Sequence, residues 1–208
     1  MYLAIEGVIG AGKTTVARLL QETFSAQLCL EVFEENPFLS DFYADRARYA
    51  FQTQIFFLLS RYHQQRQDVA EALRGRSVLT DYTFAKDALF ARLNLHGDEL
   101  EMYYRVHNAL AEKLPRPDLI VYLRASTDVL MHRIAQRDRP YERQMERAYI
   151  DELNRAYDSF FGGHGDSPVL KVDTDSLNLV ANTEHLADIQ SKTRSALRIG
   201  PYQVELPL

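Results

Sequence analysis

A single cysteine, Cys29, is all the thiol in this chain of 208 residues. No internal disulfide can form, and such a chain suits a reducing compartment. No apolar run approaches the length of a membrane span, and the first strand candidate begins at the N-terminus. Neither a transmembrane helix nor a signal peptide is therefore expected, and the cytoplasm is the simplest address. Long basic runs are also missing and the formal net charge is −5, which argues against nucleic acid polymers as partners. Lys and Arg should instead gather locally where phosphates bind. The six histidines show no metal-ligand spacing, and with one cysteine a zinc site is not expected. Repeats, low-complexity tracts and linkers are absent, so residues 1–208 read as one domain with a sizeable core.

What is present begins with "MYLAIEGVIGAGKTTVARLL". Gly7-Val8-Ile9-Gly10-Ala11-Gly12-Lys13-Thr14 fits G-x-x-x-x-G-K-[ST], followed by Thr15. In such a loop backbone N–H groups surround phosphate oxygens, the lysine neutralises charge and the hydroxyl reaches Mg²⁺. "YLAIE" is an apolar strand candidate, and Thr14 to Leu20 open a helix whose N-terminal dipole favours an anion.

Short apolar segments "YLAIE", "QLCLEV", "SVLTDY", "DLIVYLRA" and "PVLKVDT" alternate with longer amphipathic ones. The alternation predicts an α/β fold with a five-stranded parallel sheet covered by helices on both faces. Pro115 and Pro117 end a helix before the fourth strand, and "GGHGDSP" precedes the fifth. The tail "GPYQVELPL" is left open between a free end and a contact with a neighbour.

Ligands of such sheets bind beyond the carboxyl ends of the strands. The second strand ends near Glu31, where a nucleophile facing the γ-phosphate needs a proton acceptor. A switch GTPase would show a threonine-bearing switch loop and a D-x-x-G after the third strand, and an ATPase motor a longer apolar strand ending in Asp-Glu. Neither pattern is present, so a small kinase fits better.

The run of "IEGVIGAGKTT", "LEVFEENPFLSDFYADRARYAFQTQIFFLLSR", "DYTFAKDALFA", "VYLRASTDVLMHRIAQRDRPYE" and "KVDTD", in that order over nearly the whole chain, resembles the deoxynucleoside kinase family. Its bacterial deoxyguanosine and deoxyadenosine kinases are the most similar branch. The resemblance implies a P-loop kinase fold with an arginine-bearing lid at about residues 133–143. By resemblance, Glu31 takes the proton from the nucleoside 5′-hydroxyl, Tyr43 and Glu142 hydrogen-bond the 3′-hydroxyl, and Tyr43 crowds the 2′ position. Gln54, with Gln52 as the alternative, addresses the base; Arg61 and Asp87 form a charged pair at the far end of its pocket. Arg133, Arg137 and Arg139 look like lid arginines over the donor phosphates, with the donor adenine between the lid helix and "VDTDSLNL".

The residues agree with elementary physics. Tyr43, Phe51, Gln54, Phe57, Leu58 and Arg61 recur at helical spacings, so an aromatic stripe carries an amide and a guanidinium. A buried amide needs partners, and a nucleobase edge offers a donor and an acceptor. Arg133 and Arg137 are four apart and share a helix face, and guanidinium groups match phosphoryl oxygens.

One departure from the family stands at the end of the third strand. By resemblance Asp81 matches an acid that aids Mg²⁺ binding, but Tyr82 occupies the place where members commonly carry an arginine that contacts the carboxylate of the base, here Glu31, and the 5′-oxygen. Lys86 or a lid arginine could take that role. The reading is a deoxynucleoside kinase using ATP and Mg²⁺, held by Thr14 and Asp81, on purine deoxynucleosides. A nucleoside monophosphate kinase and a catalytically silent nucleotide-binding subunit are the alternatives. A homodimer is expected from the family, with "DELEMYYRVHNALAEKL" either its interface or core.

Overall fold

The computed structural model describes residues 1–33, 35–163, 165–178 and 181–199. His164 and the tail from Gly200 lie outside them, as do Glu34, Leu179 and Val180. The chain runs β1 (Tyr2–Gly7), α1 (Lys13–Gln21), β2 (Ala26–Cys29), α2 (Leu39–Ala44) and α3 (Arg46–Gln64). A π-helical turn at Gln65–Val69 carries α3 into α4 (Ala70–Ala72). Then follow β3 (Ser77–Thr80), α5 (Lys86–Asn94), α6 (Gly97–Ala111), β4 (Leu119–Arg124) and α7 (Thr127–Arg137). A 3₁₀ turn at Pro140–Glu142 leads to α8 (Arg147–Gly162), β5 (Val169–Asp173) and α9 (Thr183–Ala196).

The five strands stand in the order β2-β3-β1-β4-β5, and all pairings are parallel. Every residue of β1 is buried, so helices cover the sheet on both faces there. Strands covered in this way read as continuous apolar runs rather than as alternation, which is why the five segments were visible in the sequence. β1 lies between β3 and β4, where the path of the chain reverses across the sheet. Such a reversal opens a crevice beyond the strand ends, and the loop from Gly7 to Thr14 fills its mouth. Gly10 and Gly12 both have left-handed backbones, with φ +86° and +91°. At Gly10 a Cβ would also come within 2.9 Å of the Leu130 carbonyl oxygen on α7, so only glycine lets the loop and α7 pack this closely.

Two local boundaries differ from the sequence expectation. The ladder of β2 stops at Cys29, so Glu31 lies beyond the strand in extended chain. The aromatic stripe is not one helix: Asp45 ends α2 through a bond from its N–H to the Asp41 carbonyl and caps α3 by accepting from Arg48 N. A carboxylate satisfying an orphan N–H at a helix start favours this break. Tyr43 therefore joins Gln54 and Arg61 by packing of α2 on α3. α7 ends as expected before Pro140, at Asp138 in the left-handed region with φ 48°.

Candidate active site

The strand ends bring three chain segments onto one carboxylate. Thr14 Oγ1, at the start of α1, donates to Asp81 Oδ2 at 2.5 Å, and Asp81 Oδ1 accepts from Glu31 N at 2.8 Å. Asp81 thus ties the loop after β1, the chain after β2 and the end of β3 together. Lys13 Nζ turns back to the carbonyls of Gly7 and Val8 at 2.8 and 3.1 Å. Burial and repulsion from Lys86 lower its pKa to about 8, against the attraction of Glu6, Glu31 and Asp81. The Thr14 hydroxyl and the Asp81 carboxylate form a hard oxygen pair, the sparse kind of protein donor set that suits Mg²⁺ when phosphates complete its shell.

Glu31 stands beside that pair. Its Oε1 accepts from Arg61 Nε and its Oε2 from Lys86 Nζ, both at 2.7 Å. Burial raises a carboxyl pKa, but here the two cations prevail and hold Glu31 well below the usual carboxylate range. Arg61 also pairs with the fully buried Asp87 and lies over the Phe57 ring at 4.5 Å. One guanidinium therefore joins Glu31 to Asp87, which is buried and does not line the cleft.

Glu31, Tyr43, Gln54, Arg61, Lys86 and Glu142 line one cleft. Gln54 lines the cleft and is buried, and its Oε1 has no hydrogen-bond partner among the described residues. Such a group costs stability until a ligand pairs with it. Tyr43 stacks on Tyr141 with ring centroids 6.1 Å apart. Glu142 is buried and receives Arg137 on both oxygens, from NH2 at 2.6 and 2.7 Å and from Nε at 3.0 Å; Arg139 approaches at 3.7 Å. The Arg139 guanidinium also covers the Phe33 ring at 4.3 Å.

A second groove lies on the other side of the loop, between Gly10, Gly12, Thr15, Arg133, Thr174 and Asn178. Arg133 donates to the Thr174 carbonyl at 2.7 Å and to its hydroxyl at 3.0 Å. Of the three candidate arginines, Arg133 and Arg137 border this groove, and Arg137 and Arg139 pair with Glu142. The two cavities meet at an opening lined by Lys13, Thr14, Glu31, Asp81, Arg137 and Arg139. Cations, a proton acceptor and a hard oxygen pair converge there, as a phosphoryl group passing between two ligands needs.

Sequence reasoning left the partner of Glu31 open between Lys86 and a lid arginine; the structure places Lys86 against it. Tyr141, Tyr149, Phe33 and Thr53 line the cleft without having been singled out, because nothing local distinguishes them from core residues.

A model of the deoxynucleoside kinase family matches residues 3–198. Deoxyguanosine kinase of Bacillus subtilis is 35% identical over 202 residues, which cover 94% of this chain and 97% of that protein. Deoxyadenosine/deoxycytidine kinase of the same organism is 30% identical over 89% of each chain. Among solved structures, deoxyadenosine kinase from M. mycoides with bound dCTP superposes with a TM-score of 0.80 at 28% identity, covering 94% of this chain and all of that one.

Proposed function

This chain belongs to the deoxynucleoside kinase family and is an ATP-dependent kinase, and we propose that it moves the γ-phosphoryl group to the 5′-hydroxyl of purine deoxynucleosides in nucleotide salvage. The observation that carries the reading is the opening where the two cavities meet over Lys13, Glu31 and Asp81. Relatives named deoxyguanosine kinase and deoxyadenosine kinase support purine acceptors.

In this reading Glu31 accepts the 5′-hydroxyl proton, and Lys86 and Arg61 hold its carboxylate ionised and aimed. Lys13 and the N–H groups of the loop from Gly7 to Thr15 bind the donor phosphates. Arg137 and Arg139 sit close enough to the shared opening to spread charge over the group in transit, and Arg133 borders the donor groove. Tyr43 and Glu142 bind the sugar 3′-hydroxyl, while Gln54, Arg61 and Asp87 read the base. Thr14 and Asp81 are the residues that would hold Mg²⁺, which when bound supplies positive charge to bridging phosphate oxygens. With reactants aligned and water excluded, phosphoryl transfer asks little covalent chemistry of the protein.

The proposal includes one domain, supported by one buried apolar cluster from Tyr2 to Ile189. It also includes a homodimer in the cytoplasm. Exposed Met102 on α6 and Leu59 on α3 support association, and a free, buried Cys29 suits a reducing compartment. No helix among the described residues is long and apolar enough to cross a membrane. Incubating the purified protein with ATP·Mg²⁺ and separate nucleosides or nucleoside monophosphates tests the reading: phosphate must appear on deoxynucleosides, and transfer only to monophosphates would overturn it.

A further inference from the structure

Glu6 is fully buried at the penultimate position of β1 and has no task in the reaction described above. Its Oε2 accepts from Gly7 N at 3.2 Å, with the Tyr157 hydroxyl at 3.5 Å. Its Oε1 accepts from Thr83 N at 2.6 Å and from Thr83 Oγ1 at 2.9 Å. Each oxygen thus receives a backbone N–H, which favours the ionised form. Burial raises its pKa, while the fields of Lys86 and Lys13 and the bonds from Thr83 act the other way. A charge so deep is costly unless paired and fully hydrogen-bonded, so an apolar side chain would be the cheaper way to fill this space.

Its two ends explain why a carboxylate stands there. The β1–β3 ladder ends at Ala4↔Thr80. Further along both chains the Glu6 side chain takes up the connection, joining Gly7 to Thr83. Gly7 opens the phosphate loop that carries Lys13, and Thr83 leads into the first turn of α5, whose Lys86 pairs with Glu31. We propose that Glu6 is a positioning residue that locks the phosphate loop to the Thr83–Lys86 segment, so that Lys13 and the Lys86–Glu31 pair keep the separation phosphoryl transfer needs. The inference rests on the kinase reading above.

The test compares Glu6→Gln and Thr83→Val with the wild type. Glutamine keeps the volume but turns an NH₂ toward an N–H donor, so kcat should fall about 10²-fold through misplacement of the reacting groups. KM for the deoxynucleoside should stay within about threefold, because Glu6 itself does not line the cleft. Thr83→Val removes one donor and should lower kcat at least about tenfold, as for one hydrogen bond to a charged group. A lower melting temperature with kcat per folded molecule unchanged would mean a merely structural role and overturn the inference. Should Glu6→Gln not fold, an unchanged kcat in Thr83→Val overturns it alone. A wild type that phosphorylates no deoxynucleoside would instead strike the kinase reading.

Discussion

Lys86 Nζ stands 2.7 Å from Glu31 Oε2, although 55 positions separate the two in the chain. Both side chains are largely shielded from solvent, at 4% and 13% exposure, so the pair is weakly screened and the ammonium strongly orients the carboxylate. Against the cost of burial, Arg61 and Lys86 hold the Glu31 carboxyl well below the usual carboxylate range.

Replacing the base itself is the most direct trial. Glu31→Gln should lower kcat by about 10²–10⁴-fold, the usual contribution of a positioned proton acceptor. Single-turnover phosphorylation measures it. Retention of more than about a tenth of the wild-type rate would move the role to Glu35 or Asp81, or to Glu34, which lies outside the described residues.

Lys86→Met should lower kcat by about 10–10²-fold by freeing the Glu31 carboxylate to misalign. The sign of the accompanying pH effect follows from the direction of the shift. Arg61 and Lys86 depress the Glu31 pKa, so removing one cation raises it, and activity is lost at a higher pH on the acid side. Lys86→Arg should restore part of the rate and move the acid limb back. An acid limb that stays put in Lys86→Met would show that Lys86 does not act through Glu31.

The sugar site predicts poor use of acceptors lacking a 3′-hydroxyl. Glu142 is buried and Tyr43 lines the same cleft, and each polar partner left unpaired costs ~1–3 kcal/mol. Comparing kcat/KM for 2′-deoxy and 2′,3′-dideoxy forms of one nucleoside checks this, and equal values would refute the assignment. Ribonucleosides should also suffer, from crowding by Tyr43 at the 2′ position.

At the base, Arg61 lines the cleft and pairs with the fully buried Asp87, and Gln54 Oε1 has no hydrogen-bond partner among the described residues. Guanine offers acceptors to the arginine and an N–H to the amide, whereas thymine offers a methyl group where the pair stands. Purine deoxynucleosides should exceed thymidine in kcat/KM by at least ~10², as for two mismatched polar contacts, with deoxyguanosine ahead of deoxyadenosine and deoxycytidine a minor substrate. A series with the four natural deoxynucleosides decides it: thymidine in first place would sink the pocket assignment, and deoxyadenosine in first place would correct only the orientation of Arg61 and Asp87.

The sheet and the phosphate loop are legible in the sequence alone, because each is written in neighbouring residues. A strand covered on both faces must be apolar throughout, as "YLAIE" and "DLIVYL" are, and a loop wrapped on phosphate must have glycine where φ is positive, as at Gly10 and Gly12. Spacing also marked Gln54 and Arg61 as sharing a helix face. Only the tertiary structure decided which charges meet. The cation on Glu31 could have been Lys86 or a lid arginine, and both choices satisfy every local rule. Arg137 proved to be engaged with Glu142, while Lys86, on another helix, reached the base. The break at Asp45 likewise depended on one capping bond that competes with continuing the helix. Glu6 drew no notice within its strand, because a carboxylate in an apolar run has meaning only once Thr83 and Gly7 are known to face it. Electrostatic pairing acts through space between segments far apart in the chain, and the packing of helices on the sheet brings those segments together.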